Sequence, residues 1–401
     1  MSDVLQPASA DDVAAALKRA SDARQSVVIR GAGTKSDWGR PAGRIDTILD
    51  MRGMNRILAH EHGDLTATIE AGATLRDVNA ALAVHGQTLP LDPPFADRAT
   101  IGGLLASNDS GPLRHRYGTP RDLVIGIQLA TTDGVLSKAG GRVVKNVAGY
   151  DLAKLVTGSF GSLAAIVSAT FKLSPIPAAS KTMRIAVRDA ASLAAIVQAM
   201  MSSQLEPVAF EMVAGQLSWV VGRAGADDQG PTTNDYAALL RFASLPAVVD
   251  AQIAQATALV QGHAMWLEVL DGEAERALWH THATEIWSQP GAIVRASWLP
   301  ANIAELLERE PFRRASCELI GRAAVGAGHI RIDGDATAQA SAIEQLRASV
   351  VFGNIVIVRG SPALKARVDV WGSHGDRQPL FDALKRALDP NGVLNAGRGP
   401  L

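Results

Sequence analysis

The hydrophobic and polar positions of residues 1–175 alternate between short strand-like runs and amphipathic helical segments. Ser9 begins a Ser-x-x-Asp capping box ahead of the apolar run at 13–17, which predicts the start of a helix. Val27–Arg30 has the pattern of a short buried strand, and Thr74 caps a second helix that stops at Gly86. Further strands are predicted at Ile45–Leu49, Arg56–Ala59, Thr66–Glu70, Leu123–Ala130 and Ala164–Leu173.

Beyond Pro177 the pattern changes, because strand-like and helix-like segments alternate in three sets up to residue 358. This alternation predicts an α+β domain with split β-α-β units and antiparallel pairing. Leu217–Val221 is one of its predicted strands, and the polar stretch Asp227–Asn234 is predicted to be a mobile loop. A last helix is predicted at Pro379–Leu388, and the fold class is therefore α+β.

Composition and charge exclude several classes of protein. The 401 residues suffice for two or three domains, and 47% hydrophobic with 20% charged residues is typical of a globular chain. A net charge of −1 gives no electrostatic reason to bind nucleic acid or an anionic membrane surface. The single cysteine, Cys317, excludes an internal disulfide and a thiolate metal cluster within the chain.

The sequence also carries an expectation about location. The first residues lack the basic and apolar regions of a signal peptide, and no run approaches the ~20 apolar residues of a membrane span. A chain with one cysteine suits a reducing cytoplasm. We therefore expect a cytoplasmic protein, with any peripheral association at the inner membrane running through a partner.

Three glycine-rich clusters carry the candidate chemistry. The first, Gly31–Ser36, can point several backbone amides at one anion. It has neither the spacing of a P-loop nor that of the Rossmann G-x-G-x-x-G turn, so neither common nucleotide-binding loop is present here. The second cluster lies at Ala99–Asn108, where Thr100 can cap the following turn, and the third lies at Gly158–Gly161.

Each cluster taken alone is also compatible with a structural turn, because glycine is the usual residue of tight bends. Their joint occurrence in a fixed order indicates a ligand site more specifically than any one cluster does. Glycine loops at separate points of the N-terminal region allow close backbone approach at each, which suggests a dinucleotide held along its length. His115, near the second cluster, offers a base, although a histidine between two arginines is more often a surface residue.

With these motifs in place, the chain resembles flavoproteins of the vanillyl-alcohol oxidase type. The resemblance covers residues 5–175 and the C-terminal run 389–398. Within that family it is most similar to the E-type subunits of bacterial glycolate oxidases, through Ser110–Arg114, Lys145–Asp151 and Gly158–Gly161. The resemblance implies three parts: a two-lobed PCMH-type FAD-binding domain at 1–175, an α+β, ferredoxin-like cap domain at 176–360, and a C-terminal segment at 361–401 that packs back on the FAD domain.

The resemblance also implies which residues bind FAD. One group, Gly31, Ala32, Gly33, Thr34 and Lys35, matches the loop that wraps the pyrophosphate. On the flavin side, Pro90 and Asp92 match the loop before the isoalloxazine site, and Gly118 and Asp122 match the ribityl region. The segment that lines the flavin and its phosphates is matched by Thr100, Gly102 and Gly103, followed by Ser107 and Asn108. The matches to the adenine side and the returning C-terminal segment are Gly158, Gly161, Ile166, Asn395 and Arg398.

Non-covalent, dissociable FAD is expected. The histidine that usually attaches flavin in this family falls in the first loop, where this chain has Thr34, Lys35 and Ser36. Cys317 lies far away, in the predicted cap. No metal site is expected either, because Gly326–Arg331 offers one histidine and the pair His280-x-His282 diverges by ~200° on a predicted helix.

The implied reaction is oxidation of a 2-hydroxy acid, with glycolate becoming glyoxylate. Such a reaction needs a base for the hydroxyl proton and a cation for the carboxylate. Arg322, Arg359 and Arg398 are the candidate cations, with internal salt bridges as the alternative for each, and the catalytic residues are otherwise unknown. The implied partners are a D-type flavin subunit and an iron–sulfur F-type subunit. Two alternatives stay open, namely a stand-alone FAD-dependent 2-hydroxy-acid dehydrogenase and a non-catalytic, structural FAD-binding subunit.

Overall fold

The computed structural model describes residues 2–141, 150–215, 235–309, 312, 316–395 and 397–400. The predicted strand Leu217–Val221, the predicted loop Asp227–Asn234 and the motif residues Lys145–Gly149 lie outside these residues. The chain divides into two compact units. The first contains Met1–Gly111, Tyr117–Ile176 and Ser373–Leu401, and the second contains Pro112–Arg116 and Pro177–Gly372. The domain boundaries after residues 175 and 360 stay predictions.

The first unit contains two main sheets. A small parallel sheet has the order β1-β3-β2, with β1 at Asp3–Leu5, β2 at Val27–Arg30 and β3 at Thr47–Asp50. A larger antiparallel sheet has the order β4-β5-β9-β7-β8, with strands at Ile57–Glu61, Thr66–Glu70, Ala165–Lys172, Val124–Ala130 and Leu136–Gly140 in that order. Two short strands, β6 (Gln87–Thr88) and β10 (Ser174–Pro175), pair with each other.

Helices of the first unit begin where the sequence places polar caps. The Ser9 hydroxyl accepts the Asp12 amide, and the Thr74 hydroxyl accepts the Asp77 amide, which confirms both predicted helix starts. The helices are α1 (Ala10–Asp22), α2 (Leu75–Ala83), α3 (Ile101–Ser107), α5 (Pro120–Leu123), α6 (Leu152–Val156) and α13 (Gln378–Leu388). The short helix α4 (Arg114–Tyr117) has residues in both units.

Each sheet of the first unit has its own hydrophobic core. Around the parallel sheet, α1 buries Val13 and Leu17 against Leu49 and Leu394. Around the antiparallel sheet, the core includes residues from α2, α3 and the sheet itself, among them Ile69, Leu75, Leu82, Ile101, Leu104, Ile127 and Phe171. Burial of these apolar faces holds the helices on the sheets, because it removes their apolar surface from water.

The second unit is built on one eight-stranded antiparallel sheet. Its strand order is β14-β11-β13-β12-β16-β17-β15-β18. The strands are β11 (Ala179–Val187), β12 (Ala209–Gly215), β13 (Asp235–Ser244), β14 (Ala264–Asp271), β15 (Ala292–Trp298), β16 (Cys317–Arg322), β17 (Ala327–Ile332) and β18 (Phe352–Arg359). The helices are α7 (Ala190–Ser202), α8 (Pro246–Val260), α9 (Gly272–Ser288), α10 (Ile303–Leu307), α11 (Ala336–Ala348) and α12 (Pro362–Lys365). The predicted α+β class and antiparallel pairing are confirmed.

Helix α9 is held on this sheet by a buried carboxylate. Glu275 accepts hydrogen bonds from the hydroxyls of Ser180 and Thr182, at 2.6 and 2.7 Å, and from Arg241 Nε at 3.1 Å. Trp279 Nε1 donates to the same Thr182 hydroxyl at 2.9 Å. The helix therefore packs against the sheet through polar contacts as well as apolar ones.

The C-terminal residues of the first unit are fixed by a buried aspartate. Asp389 accepts the amides of Val393 and Leu394 at 3.0 and 2.8 Å, and its carboxylate lies 2.6 Å from Lys385 Nζ. The turn that results places Val393 O to accept the Val27 amide at 2.8 Å, beside strand β2. Asp389 therefore orders the segment that follows it in the sequence.

Replacing Asp389 with alanine is expected to lower the free energy of unfolding by about 2–3 kcal/mol, because two buried amides lose their acceptor and Lys385 loses its ionic partner. Urea unfolding followed by circular dichroism measures the change. Asp382→Ala is the matched control, since Asp382 is an exposed residue of α13, the helix that Asp389 follows, and its loss should change stability by less than about 0.5 kcal/mol. Equal effects of the two substitutions would contradict the role given to Asp389.

Candidate functional site

The first glycine loop follows strand β2 and turns sharply. Gly33 has a φ of +75°, in the left-handed region that glycine adopts without strain, and the Ser36 amide donates to the Gly33 carbonyl at 3.1 Å. In the part of the chain that the structure describes, the amides of Ala32, Thr34 and Lys35 donate no hydrogen bond to the protein. The loop therefore presents a row of backbone donors to a ligand.

The second cluster contacts the first loop at Gly31. A Cβ on Gly31 would lie 2.1 Å from the Thr100 hydroxyl oxygen, so a larger residue does not fit. Thr100 is buried and its Oγ1 accepts the Gly103 amide at 3.4 Å, which confirms the predicted cap at the start of α3. Helix α3 also packs closely against Ala71, because a Cβ on Gly102 would lie 2.8 Å from the Cβ of Ala71.

The third cluster is joined to α3 by two backbone hydrogen bonds. The Gly158 amide donates to the Leu105 carbonyl at 2.9 Å, and the Phe160 amide donates to the Ala106 carbonyl at 2.8 Å. Phe160 adopts a positive φ of 56°, which L residues rarely adopt. The two hydrogen bonds to α3 therefore fix the backbone of this turn.

Asn395, from the C-terminal segment, contacts the third cluster. Its Nδ2 donates to the Phe160 carbonyl, and a Cβ on Gly161 would lie 2.9 Å from this nitrogen. Its Oδ1 is buried, and the described residues supply no hydrogen-bond partner for it. Because a buried acceptor without a donor costs free energy, this atom is suited to a hydrogen bond from a bound molecule.

The three clusters and Asn395 line two cavities of the first unit that share part of their walls. One extends over the first loop to Ser36 and Arg398, and the other extends past Met51 and Ala71 to Ile166. The sequence-predicted site residues that these cavities bring together are Gly31, Ala32, Gly33, Thr34, Lys35, Thr100, Gly102, Gly103, Ser107, Gly161, Ile166, Asn395 and Arg398.

Two cationic side chains lie at one end of this site, and one of them has a carboxylate partner. Lys35 Nζ lies 3.2 Å from a carboxylate oxygen of buried Asp109. The Arg398 guanidinium donates to the carbonyls of Ser36 and Trp38, so it supports the first loop from the C-terminal side. Burial lowers the pKa of Arg398, and an anionic ligand in the cavity would offset that cost.

Other predicted site residues do not line these cavities: Pro90, Asp92, Asn108, Gly118, Asp122 and Gly158. Several of them shape the neighbouring backbone instead. Asn108 is the left-handed C-cap of α3, with a φ of 46°, and its Oδ1 accepts the Arg121 amide at 3.2 Å. Asp122 accepts both the amide and the hydroxyl of Thr119, at 2.8 and 2.7 Å.

Sequence reasoning also missed residues that line the cavities. Ile29 and Arg30 end the strand that leads into the first loop, and Phe160 belongs to the third cluster, so their positions in the sequence gave a usable signal. Met51 and Ala71 gave none, because only tertiary packing brings them to the site. Of the run Lys145–Asp151, the structure describes only Tyr150, which is exposed, and Asp151, which N-caps α6.

A separate group of buried titratable side chains lies within the second unit. Fully buried Glu211 has one carboxylate oxygen 3.2 Å from His282 Nε2 and the other 3.5 Å from Arg322 Nε. Arg322 Nε also donates to the Ala327 carbonyl at 2.9 Å. Burial lowers the pKa of His115, and the charge of Glu211 partly opposes this shift. His115 itself is half-buried, so it is less exposed than its arginine neighbours suggested.

The candidate cations differ in their contacts. Arg359 donates from Nε, Nη1 and Nη2 to the carbonyls of Gly291, Trp287 and Gln289, at 3.2, 2.5 and 2.6 Å. These contacts satisfy backbone groups at the end of α9. Arg322 belongs to the titratable group of the second unit, whereas Arg398 lines a cavity of the first.

Comparison with known proteins gives two family matches. Residues 2–140 match the FAD binding domain, and residues 176–301 match the C-terminal domain of FAD linked oxidases. A solved alkyldihydroxyacetonephosphate synthase has the same fold, with a TM-score of 0.70 and 18% identity over 98% of this chain and 75% of its own. Among the described residues, no helix has the length and apolar character needed to cross a membrane.

Curated relatives include two glycolate oxidase subunits, from different bacteria. The chain is 38% identical over 159 residues to the glycolate oxidase subunit GlcE of Escherichia coli, which is 39% of this chain and 45% of that protein. It is 32% identical over 210 residues to GlcD of Bacillus subtilis, covering 52% of this chain and 45% of that protein. The chain thus spans less than half of these two relatives. A mitochondrial D-lactate dehydrogenase of Arabidopsis thaliana is 27% identical, with coverage of 98% of this chain and 72% of that protein.

One domain match falls mainly in each unit, and most residues that line the cavities of the first unit lie within residues 2–140, which match the FAD binding domain. The predicted PCMH-type fold and the FAD cofactor are confirmed. The chain therefore belongs to the vanillyl-alcohol oxidase family of FAD-dependent oxidoreductases.

Proposed function

We propose that this chain holds FAD non-covalently across the cavities of its first unit and is the FAD-binding subunit of a glycolate oxidase-type complex. In this role it contributes to the oxidation of glycolate, a 2-hydroxy acid, to glyoxylate and passes electrons to partner subunits. The observation that carries the proposal is the convergence of three distant glycine clusters on cavities lined by unused backbone donors and by the buried Asn395 acceptor.

The first loop is proposed to hold the pyrophosphate. Its amides from Gly31 to Lys35 can converge on phosphate oxygens, and Arg398 adds a positive charge beside them. The second cluster would border the flavin, through Thr100, Gly102, Gly103 and Ser107. The third cluster would border the adenine and ribose, through Gly161 and Ile166, with Asn395 as a hydrogen-bond acceptor. Six further residues of the predicted site would support FAD from outside the cavities: Asn108 and Gly158 beside these clusters, and Pro90, Asp92, Gly118 and Asp122 on the flavin side.

Dissociable FAD is supported by the available nucleophiles. The first loop has Thr34, Lys35 and Ser36 where a histidine would be needed for attachment. Burial raises the pKa of Cys317 to about 12, and a thiol that does not ionise is a poor nucleophile. Neither feature favours a covalent bond to flavin.

When bound, FAD would supply the acceptor for the hydride on the α-carbon of the hydroxy acid. The reaction also needs a cation for the substrate carboxylate and a base for the hydroxyl proton, which this chain and its partner subunits together would supply. Of the candidate cations of this chain, Arg398 lines the cavity, whereas Arg359 is committed to three carbonyls and Arg322 is paired with Glu211.

Relatives support the proposed partners and one alternative. The similarity to GlcE and GlcD favours a complex with a D-type flavin subunit and an iron–sulfur F-type subunit, in the cytoplasm or peripheral at the inner membrane through a partner. Similarity to a D-lactate dehydrogenase along 98% of the chain favours a stand-alone FAD-dependent 2-hydroxy-acid dehydrogenase. A non-catalytic, structural FAD-binding subunit is the third alternative, because Arg322 has an internal ionic partner.

Gly33→Val is expected to remove FAD, because a β-branched residue strains a φ of +75° and its Cβ would lie 3.1 Å from the Ser36 hydroxyl. The ratio of flavin absorbance at ~450 nm to protein absorbance should fall at least tenfold. Gly43→Ala is the control, since Gly43 has open space around it and should keep its flavin. Normal flavin content in Gly33→Val, with a normal melting temperature, would contradict the assignment of the first loop.

Substrate assays separate the three functions. The purified chain is mixed anaerobically with glycolate or D-lactate, with an artificial electron acceptor added afterwards. The proposed function predicts little flavin bleaching by the chain alone and turnover when the D-type and F-type subunits are added. Bleaching without partners would instead indicate a stand-alone dehydrogenase, and a complex whose turnover survives loss of FAD from this chain would indicate a structural subunit.

The alternative for Arg322, an internal salt bridge, is tested by unfolding. Arg322→Met is expected to lower the free energy of unfolding by about 3–5 kcal/mol, because it removes the cation beside the buried Glu211 carboxylate. Urea unfolding measures the change, and Arg276→Met, at an exposed position of α9, is the control. Equal effects of the two substitutions would contradict a structural role for the Glu211–Arg322 pair.

A further inference from the structure

Three histidines of the first unit meet although they come from different segments. His60 lies in strand β4, His62 lies in the turn before β5, and His85 follows α2. One imidazole nitrogen from each lies within 4.8 Å of the others. The rings of His62 and His85 are stacked at 3.7 Å between centroids, and the His60 ring meets both edge-on, at 4.1 and 5.3 Å.

A buried glutamine orients this group, which we name the histidine cluster. Gln87 of β6 places its Oε1 2.8 Å from His60 Nε2, and its own Nε2 donates to the His62 carbonyl at 2.9 Å. Because the amide nitrogen of Gln87 is committed to that carbonyl, its oxygen must be the acceptor for His60. Nε2 of His60 therefore carries the proton, and Nδ1 keeps the lone pair that can bind a metal ion.

The surroundings also suit a ligand. His62 and His85 are exposed and His60 is half-buried, so an ion can reach the histidine cluster from solvent. None of the three histidines lines the cavities assigned to FAD.

We propose that His60, His62 and His85 form a binding site for a divalent transition-metal ion of the zinc class. Three imidazoles that can converge on one point are a ligand set typical of Zn²⁺, with solvent as a fourth ligand. Gln87 is a positioning residue, as hydrogen-bonded partners of metal-binding histidines commonly are. The bound ion would join the β4–β5 hairpin to the end of α2, and would stabilise the fold because it binds only when these segments are together.

The spacing of the first two histidines explains why the site is feasible. Residues two apart on a strand point to the same side, whereas residues two apart on a helix diverge. His60-x-His62 extends along β4 and its turn, while His280-x-His282 lies on helix α9, where His280 is exposed and His282 is buried. Only the first pair can share an ion.

Isothermal titration of Zn²⁺ into the untagged, chelator-treated FAD-loaded chain tests the proposal. We expect one Zn²⁺ per chain and a rise in melting temperature on its addition. His62→Gln and His85→Gln should each weaken Zn²⁺ affinity at least tenfold and remove the metal-dependent rise, with unchanged melting temperatures in chelator because both residues are exposed. Gln87→Leu should weaken affinity by about 10–100-fold.

His263→Gln is the matched control, because it removes one exposed histidine from the second unit and should leave Zn²⁺ affinity unchanged. Wild-type affinity in His62→Gln and His85→Gln would overturn the proposal, as would the absence of Zn²⁺ binding by the wild-type chain. Flavin content is recorded in every sample, so a failure of the FAD assignment is seen separately from a failure of the metal site.

Discussion

The close approach of backbone to side chain around α3 is the constraint on which the site depends. Gly31 faces Thr100, Gly102 faces Ala71, and Gly161 faces Asn395, each at a distance that no Cβ tolerates. These contacts bring three sequence segments to the same cavities without side chains between them. The first loop lines the cavity, and the amides of Ala32, Thr34 and Lys35, which donate to none of the described residues, are available to an anion there.

Buried charge is used differently in the two units. In the first, Asp389 and Lys385 neutralise each other while ordering the backbone that leads to Asn395, so the ion pair serves to shape the site. In the second, Glu211 is buried against Arg322 and His282, and removal of one partner would leave a charge without compensation.

Much of this could be predicted from the sequence, because local signals were strong. The caps at Ser9, Thr74 and Thr100 and the glycine turns specify their own conformations, and hydrophobic periodicity located most strands. The parts that failed depend on tertiary contacts. Met51 and Ala71 reach the cavity only through packing, and the burial of His115 depends on its surroundings in the second unit.

The histidine cluster illustrates the same limit. His60-x-His62 is visible in the sequence, but His85 joins it only because α2 returns beside the hairpin. The spacing of His60 and His62 indicates that these two histidines can act together. The third histidine, His85, could be found only from the tertiary structure. The roles of Pro90, Asp92, Gly118 and Asp122 rest on the resemblance, since none of these residues lines the cavities.

The central claim, that these separated segments form one dissociable FAD site, is tested most directly by the flavin content of the purified chain. The account predicts a yellow protein with about one FAD per chain, all of it released into the supernatant by acid precipitation. A colourless protein that takes up no added FAD would contradict the site, and flavin that stays with the precipitate would contradict its non-covalent binding.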